Sequence, residues 1–222
     1  MTIAKGTVTD SYGGLVDAVD LLGRLPKDFY EQMKSKEWQR RKEALEKVLE
    51  LASHPKLETG DYGDLVKSLK KAIGKDSNFV VVSLACKCLG MVAGALRQRF
   101  RPYASSCISV LLEKCKEKRP TVLVPVKEAL DEVGKTLTLE AMLEHVTTAM
   151  GKKNPQMRGE AVAFAVRVLA RTTPAVLNKK RLKSLITPLH KGSGFAEKLC
   201  CLQVLLRSPV VWADIAFEKF LA

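Results

Sequence analysis

The sequence predicts an all-α protein built as a solenoid of stacked helix pairs. Three observations support this prediction. Aromatic residues make up only 6% of the chain, while Leu, Ala, Val and Lys dominate, which favours helices packed on helices over a sheet. Apolar residues recur at helical spacing along most of the chain. A short polar or basic turn followed by a long helix with an apolar stripe also recurs, which is the pattern of an α-solenoid.

The repeat is anchored on Trp38, in the segment Lys36-Glu-Trp-Gln-Arg-Arg-Lys-Glu-Ala-Leu45. The matching points in later copies are Asn78, Pro120 and Pro155, so subtraction gives spacings of 40, 42 and 35 residues. A period of roughly 40 residues with two helices per unit is typical of HEAT repeats. The equivalent turns of such a solenoid stack along one edge, so the repeated turns are the candidate functional surface.

The start of the chain predicts a leader and then the first helix pair. Residues 1–19 are rich in Gly, Thr, Asp and Ser, and we expect a flexible leader followed by a single domain over 20–222. Pro26 can open a short helix over 27–35, and its partner is expected over 37–52. The buried face of that partner follows i, i+3, i+4 spacing through Leu45, Val48, Leu49 and Ala52.

The second and third pairs are predicted over 61–73 with 78–99, and over 102–115 with 121–136. Gly74 is expected to cap the first of these helices. The run after Asn78 is apolar almost all round, and its length predicts a buried helix and not a strand. Pro125 is expected in the first turn of its helix, where a missing N–H does little harm.

The remaining chain predicts a fourth regular pair and atypical later ones. The fourth pair is expected over 139–150 and 155–171, with Asn154 and Pro155 opening its second helix. A fifth begins over 174–189. The C-terminal part, 190–222, starts with a Lys-Gly-Ser-Gly break and fits a reduced fifth or partial sixth pair. The prediction is therefore five to six helix pairs, of which the last one or two are atypical.

Composition limits the kind of partner and the compartment. The net charge of +13 predicts an acidic partner, which leaves nucleic acid, an anionic membrane and an acidic protein open. The six cysteines contain no Cys-x-x-Cys pair, and several lie on apolar helix faces, so reduced thiols in a cytosolic protein are expected. The first 14 residues lack the apolar core of a signal peptide, and no apolar run is expected to span a bilayer.

The sequence gives no support for an enzyme or a metal site. His54, His145 and His190 lie in different units without partner spacing, and no phosphate-binding glycine motif occurs. Cys86 and Cys88 would point about 200° apart on a helix at ~100° per residue, which is poor geometry for one metal ion. We therefore expect no catalytic residues, no metal and no cofactor.

The repeated turns carry the candidate binding residues. Trp38 lies among charged residues and off the apolar stripe, so it either covers the end of the first pair or is an exposed anchor. Phe79, at the second turn, either packs between units or serves as a second anchor. Cations follow at the later turns, at Lys118, Arg119, Lys152, Lys153 and Arg158. A strip with an aromatic end and a basic end suits a large acidic protein, whereas nucleic acid would favour aromatics interleaved with cations.

Several motifs, in this order, resemble those of a TOG (tumour overexpressed gene) domain from the Minispindles and ch-TOG microtubule polymerases. They are Lys36–Leu45, His54-Pro-Lys-Leu-Glu58, Gly60-Asp-Tyr-Gly-Asp-Leu-Val66, Lys75-Asp-Ser-Asn78, Leu112-Glu-Lys-Cys-Lys-Glu-Lys118 and Lys153-Asn-Pro155. The resemblance covers about residues 20–190 and is closest to the second domain of the family's array. After Leu189 the family continues with an acidic turn and a full sixth repeat, whereas this chain follows a different pattern.

The resemblance implies a flat paddle of HEAT repeats whose intra-repeat loops bind αβ-tubulin. Trp38 and Phe79 would contact β-tubulin, with support from Lys118 and Arg119, and the fourth loop would face α-tubulin. The implied tubulin-binding residues are Trp38, Arg41, Asn78, Phe79, Lys118, Arg119, Lys152, Lys153, Asn154, Arg158 and Lys198.

The family function implied is that of a monomeric module in a polymerase that promotes plus-end growth and spindle assembly. Such proteins act in the cytoplasm at microtubules, spindle poles and the centrosome, without a cofactor and without binding membrane or nucleic acid. The alternative from the residues alone is an α-solenoid adaptor that binds an acidic protein partner on its concave face. A third hypothesis, binding of nucleic acid, predicts affinity that falls steeply with salt.

Overall fold

The computed structural model describes residues 17–171, which form nine α-helices and one isolated parallel bridge between Val19 and Leu57. The predictions for the leader up to residue 16, the fifth pair, the C-terminal part 190–222 and Lys198 lie outside the described residues. The helices are α1 Leu21–Arg24, α2 Phe29–Gln32, α3 Trp38–Ala52, α4 Gly63–Lys75, α5 Phe79–Leu96, α6 Arg101–Lys114, α7 Pro120–Gly134, α8 Leu139–Met150 and α9 Pro155–Arg171.

The helices stack as four antiparallel pairs in two layers. Helices α3, α5, α7 and α9 lie side by side in one layer, and α4, α6 and α8 lie in the other. Within each pair, α2 packs on α3, α4 on α5, α6 on α7 and α8 on α9. The apolar stripes of both layers face each other and form one continuous core. The predicted all-α solenoid of HEAT-type helix pairs is therefore confirmed over the described part of the chain.

Helix α5 is the centre of the core and contacts α3, α4 and α7. It is buried on most of its surface, which confirms the prediction of a helix for this apolar run. Gly90 allows α7 to approach closely, because a Cβ at this position would lie only 3.2 Å from the Cα of Ala129. A larger residue would push the second and third pairs apart, so the close packing of α5 on α7 depends on this glycine.

Several predicted helix boundaries are wrong. Helix α7 begins at Pro120, so Pro125 lies in its second turn and not in its first. The carbonyl of Thr121 loses its helical donor there, but Thr121 is exposed and water can reach this group. Helix α4 continues to Lys75, so Gly74 lies inside the helix and does not cap it.

The first pair is shorter than predicted and is braced by the segment before it. Helix α2 spans only Phe29–Gln32 and continues as turns to Ser35, whereas 27–35 was expected to be helical. Val19, placed in the leader by the sequence analysis, is buried, and its N–H donates to the carbonyl of Lys56. Packed structure therefore begins by Val19, ahead of the predicted start near Asp20.

The cysteines of the described region are buried thiols. Burial raises the pKa of three of them, Cys86, Cys107 and Cys115, to about 12 in each case, and raises the pKa of Cys88 as well. All four are free and buried, so the prediction that these cysteines lie on apolar helix faces is confirmed. Cys200 and Cys201 lie outside the described residues.

The expectation that no apolar run could span a membrane is wrong as a statement of length and composition. The continuous helical run Phe79–Lys114 is long and apolar enough to do so. However, 56% of its most apolar stretch is buried inside the protein, where α5 packs against its neighbours. Packing in the core therefore explains the apolar character of this run.

Candidate protein-binding edge

The turns within the four helix pairs lie along one edge of the solenoid. The second helix of each pair begins directly after its turn, at Trp38, Phe79, Pro120 and Pro155, so subtraction gives spacings of 41, 41 and 35 residues. Phe79, and not Asn78, is therefore the structural equivalent of Trp38. We call the surface formed by residues 33–38, 76–79, 115–120 and 151–155 the turn edge.

The first two turns are joined by a buried ion pair. The Nε and Nη2 groups of Arg41 donate to the two carboxylate oxygens of Asp76 at 2.7 and 2.9 Å. The Nη1 group of Arg41 donates to the carbonyls of Ser35 and Lys36 at 2.7 and 3.0 Å. Arg41 and Asp76 are only 13% and 7% exposed at their side chains, so this network is shielded from water.

Two aromatic side chains stand out from the turn edge. Trp38 is 37% exposed and Phe79 is 44% exposed, although both begin a helix whose later apolar residues are buried. The guanidinium of Arg119 lies over the ring of Phe79, with 5.3 Å between its carbon and the ring centroid. This cation–π contact joins the second turn to the third and keeps the ring at the surface.

Asn78 holds the start of α5 in place. Its side-chain oxygen accepts a hydrogen bond from the N–H of Val80, which is the geometry of an N-cap. Its own N–H donates to Asp76 at 2.9 Å. Two of the residues predicted to touch a partner, Asn78 and Arg41, therefore support the edge from within.

The fourth turn, at the basic end of the edge, is held by an arginine in the same way as the first turn. The Nη1 group of Arg158 donates to the carbonyls of Lys152 and Lys153 at 3.3 and 3.0 Å. Arg41 makes the equivalent bonds in the first turn, to carbonyls five and six residues earlier. Asn154 accepts from the N–H of Met157 and caps α9. Lys152 and Lys153 are exposed, as are Lys118 and Arg119 at the third turn.

The repeat spacing alone predicts that most of these residues share one edge, but it does not indicate a role for Asp76. Asp76 lies within the quoted segment Lys75-Asp-Ser-Asn78, but nothing in a single sequence signals that it pairs with Arg41, 35 residues earlier. Val124 was also missed and is 51% exposed, on the outer face of α7 close to the third turn. An apolar residue in an apolar stretch gives no local sign that it faces solvent.

Groups with possible catalytic chemistry lie away from this edge. His145, on α8, bonds through Nε2 to the hydroxyl of Ser105 at 2.8 Å and through Nδ1 to that of Ser109 at 3.2 Å. Both serines are on α6, so the histidine links neighbouring helices of one layer. Residues 17–171 contain no cluster of three His, Cys, Asp or Glu side chains arranged to hold a metal ion.

Comparison with known proteins identifies close relatives. No family model matches the chain. The chain is 50% identical over 179 residues to Protein mini spindles of Drosophila melanogaster, and this match covers 80% of the chain but only 9% of that protein. It is 41% identical over 184 residues to Zygote defective protein 9 of Caenorhabditis elegans, covering 82% of the chain and 13% of that protein.

Two solved structures are similar to this chain in both fold and sequence. A structure from work on microtubule plus-end tracking by XMAP215, CLIP-170 and EB1 matches with a TM-score of 0.81 and 44% identity. The match covers 86% of the chain and 80% of that structure. A second, from work on tubulin recruitment by microtubule polymerases with TOG domain arrays, matches with a TM-score of 0.79 and 28% identity. That match covers 90% of the chain and 45% of that structure.

Proposed function

The chain belongs to the Minispindles family of TOG-domain proteins, and from this premise we propose that its turn edge binds the αβ-tubulin heterodimer. The observation that carries the proposal is the edge itself. It presents two exposed aromatic side chains at one end and exposed cations at the other, all on turns held by internal hydrogen bonds. Exposed aromatic and arginine side chains on a rigid scaffold are the residue types enriched in binding hot spots.

The family resemblance implies which tubulin subunit each part of the edge contacts. Trp38 and Phe79 form the apolar end and are proposed to bind β-tubulin, with Lys118 and Arg119 beside them. Lys152 and Lys153 form the basic end and are proposed to face α-tubulin, with Asn154 and Arg158 shaping that turn. The resemblance also implies a contact by Lys198, which lies outside the described residues. Because Arg41 and Asn78 are engaged within the edge, their proposed contribution is to hold the two aromatic turns in register.

The chain is proposed to act as one module of a microtubule polymerase. It spans only 9% of the length of Protein mini spindles. A single module would bind tubulin without accelerating plus-end growth by itself, because growth is proposed to depend on linked domains. The activity is stoichiometric binding with no chemical step and no cofactor. The proposed site of action is the cytoplasmic microtubule array, including the spindle poles and the centrosome.

Size-exclusion chromatography of the chain with αβ-tubulin at low salt tests this function. We expect the wild-type chain to co-elute with tubulin and Trp38→Glu to elute separately. Lys47→Ala is the matched control, because it changes the net charge by the same amount on an exposed site of α3 that lies more than two turns from the edge. Equal co-elution of all three chains would mean that the edge does not bind tubulin, and loss in both variants would indicate a general effect of charge.

A further inference from the structure

A shallow groove crosses the outer face of the layer formed by α3, α5 and α7. Its volume is about 980 Å³, and it lies between α3 and α7 above the surface of α5. The floor is apolar and made of Met91, Gly94 and Ala95 of α5, with Leu49 of α3 beside it. Because Gly90, Gly94 and Ala95 have little or no side chain, the exposed surface of α5 is low here and forms the bottom of a trough.

The walls of this groove carry four glutamates. Glu46 and Glu50 lie one turn apart on α3, and Glu128 and Glu132 lie one turn apart on α7. Lys87 is the one lysine or arginine that lines it in the described region, and Lys42 and Lys135 pair with two of the glutamates from outside the lining, so four carboxylates and three ammonium groups give a local charge of −1. The chain as a whole has a net charge of +13, so this surface has the opposite sign to its surroundings. We call it the carboxylate groove.

Two of the four carboxylates are available to a partner. Glu46 pairs with Lys42 at 3.1 Å and Glu132 pairs with Lys135 at 2.5 Å, each on its own helix. Glu50 and Glu128 are exposed and form no ion pair with any residue between 17 and 171. They stand on opposite walls, so a ligand lying in the groove would have one free carboxylate on each side.

The spacing of the helices leaves room for one helix on top of α5. The axes of neighbouring helices in a layer are about 8–10 Å apart, so the axes of α3 and α7 are separated by roughly 16–20 Å. A helix about 10 Å across can therefore lie over α5, outside the layer, and contact the side chains of α3 on one side and of α7 on the other. The apolar floor would accept the apolar stripe of such a helix, and the carboxylates would accept cations on its flanks.

We propose that the carboxylate groove binds a lysine- or arginine-rich amphipathic helix from a protein partner. Its apolar side chains lie on Met91 and Ala95, and its cations pair with Glu50 on one wall and Glu128 on the other. Anionic ligands such as nucleic acid or a lipid surface are repelled from these walls. The groove begins two turns beyond Trp38 on α3, at Glu46, so it is separate from the turn edge and the proposal does not depend on tubulin binding.

A designed peptide provides a direct probe. The peptide is a fluorescein-labelled helix of about 18 residues made of leucine and lysine, with leucines at i, i+3, i+4 and i+7. Its binding to the full 222-residue chain is measured by fluorescence anisotropy at physiological salt. A peptide of the same composition with its leucines spread around the helix is the control for charge alone. We expect saturable binding of the amphipathic peptide and at least tenfold weaker binding of the control peptide.

Variants of the chain then locate the binding surface. The double variant Glu50→Lys/Glu128→Lys is expected to weaken binding of the amphipathic peptide about tenfold or more. The matched control Glu43→Lys/Glu113→Lys makes the same change of charge at exposed glutamates outside the groove and should change the affinity by less than about twofold. Met91→Ser, which leaves the charge unchanged, is expected to weaken binding about threefold.

The proposal is overturned by any of three results. The first is no saturable binding to the wild-type chain, and the second is equal binding of the two peptides. The third is equal loss of affinity in the groove variant and the control variant. Circular dichroism of each variant confirms that it is folded, which is expected because the four substituted glutamates are exposed.

Discussion

Arg41 and Asp76 form an ion pair with two hydrogen bonds, at 2.7 and 2.9 Å, that joins the first turn of the solenoid to the second. The same guanidinium also holds the carbonyls of Ser35 and Lys36. Trp38 and Phe79 begin the helices that follow these two turns. The pair therefore sets the relative position of the two exposed aromatic side chains on the turn edge.

Removal of this ion pair is expected to destabilise the fold. Because both side chains are largely buried, Arg41→Ala leaves Asp76 as an unpaired carboxylate and should lower the free energy of unfolding by about 3 kcal/mol. Arg40→Ala is the control, because Arg40 pairs with Glu37 at the surface, where such pairs contribute up to about 1 kcal/mol. Urea denaturation measures both variants, and equal effects would show that the Arg41 network is no stronger than a surface pair.

Phe79 and Arg119 are expected to act as a unit in tubulin binding. Phe79→Ala should weaken binding by about 2 kcal/mol, because it removes an exposed anchor. Arg119 lies over the ring, so the two substitutions should not be additive. The loss of binding free energy in Phe79→Ala/Arg119→Ala should be roughly 0.5–1 kcal/mol smaller than the sum of the losses in the two single variants. Lys118→Ala in place of Arg119→Ala is the control and should be additive with Phe79→Ala. Titration of labelled tubulin gives the affinities, and additivity in both cycles would contradict the coupling.

The opposite edge of the solenoid contains a bond that depends on pH. The hydroxyl of Tyr103 donates to Asp61 at 3.0 Å and accepts from the N–H of Tyr62 at 3.2 Å. The N–H of Gly63, followed by this hydroxyl, lowers the pKa of Asp61. A carboxyl whose pKa is lowered on folding adds stability above its unfolded pKa of about 3.9, and this stability is lost as the pH falls through the folded value.

Tyr103→Phe should therefore lower the free energy of unfolding at pH 7, and its difference from wild type should shrink as the pH falls below about 4. Tyr30→Phe is the control, since no hydrogen bond of the Tyr30 hydroxyl is found within residues 17–171. Thermal unfolding followed across this pH range measures both variants. A difference that stays constant with pH would show that the Asp61 carboxylate does not contribute through Tyr103.

Replacement of two helical glycines by alanine is expected to change the free energy of unfolding in opposite directions. Gly159 is exposed inside α9 and a Cβ there meets no atom within 4 Å, so Gly159→Ala should raise the free energy of unfolding by about 1 kcal/mol. Gly90→Ala places its Cβ 3.2 Å from the backbone of α7, and overpacking of this kind typically costs about 1–3 kcal/mol. Chemical denaturation gives both values. If Gly90→Ala stabilised the fold, α5 and α7 could move apart without loss of stability, which would contradict this prediction.

The helices could be predicted because their signals are local, whereas the exposure of Trp38 and Phe79 was one of two alternatives that the sequence left open. Apolar spacing marks each helix, and a tryptophan among charged residues at a helix start is poorly placed for the core. The repeat spacing then brings the turns to one edge, as the structure shows. The boundaries were less secure, because Pro120 and Pro125 both suit a helix start and only packing decides between them.

The internal support of the edge could not be predicted, because it depends on contacts between distant segments. Arg40 and Arg41 are adjacent and chemically identical, yet one pairs at the surface and the other is buried against Asp76. The carboxylate groove is also a tertiary feature, since its walls come from helices about 80 residues apart. A single sequence shows which residues share a helix face but not which faces come together.

Photo-crosslinking tests most directly the claim that the turn edge binds tubulin. A benzophenone amino acid replaces Phe79 in one chain, Lys153 in a second and Arg101 in a third; Arg101 is exposed and starts α6 at the end opposite the turn edge. After irradiation with αβ-tubulin, we expect Phe79 to crosslink to β-tubulin, Lys153 to α-tubulin and Arg101 to neither. Crosslinks of equal yield at all three sites, or none at the two edge positions, would contradict the account.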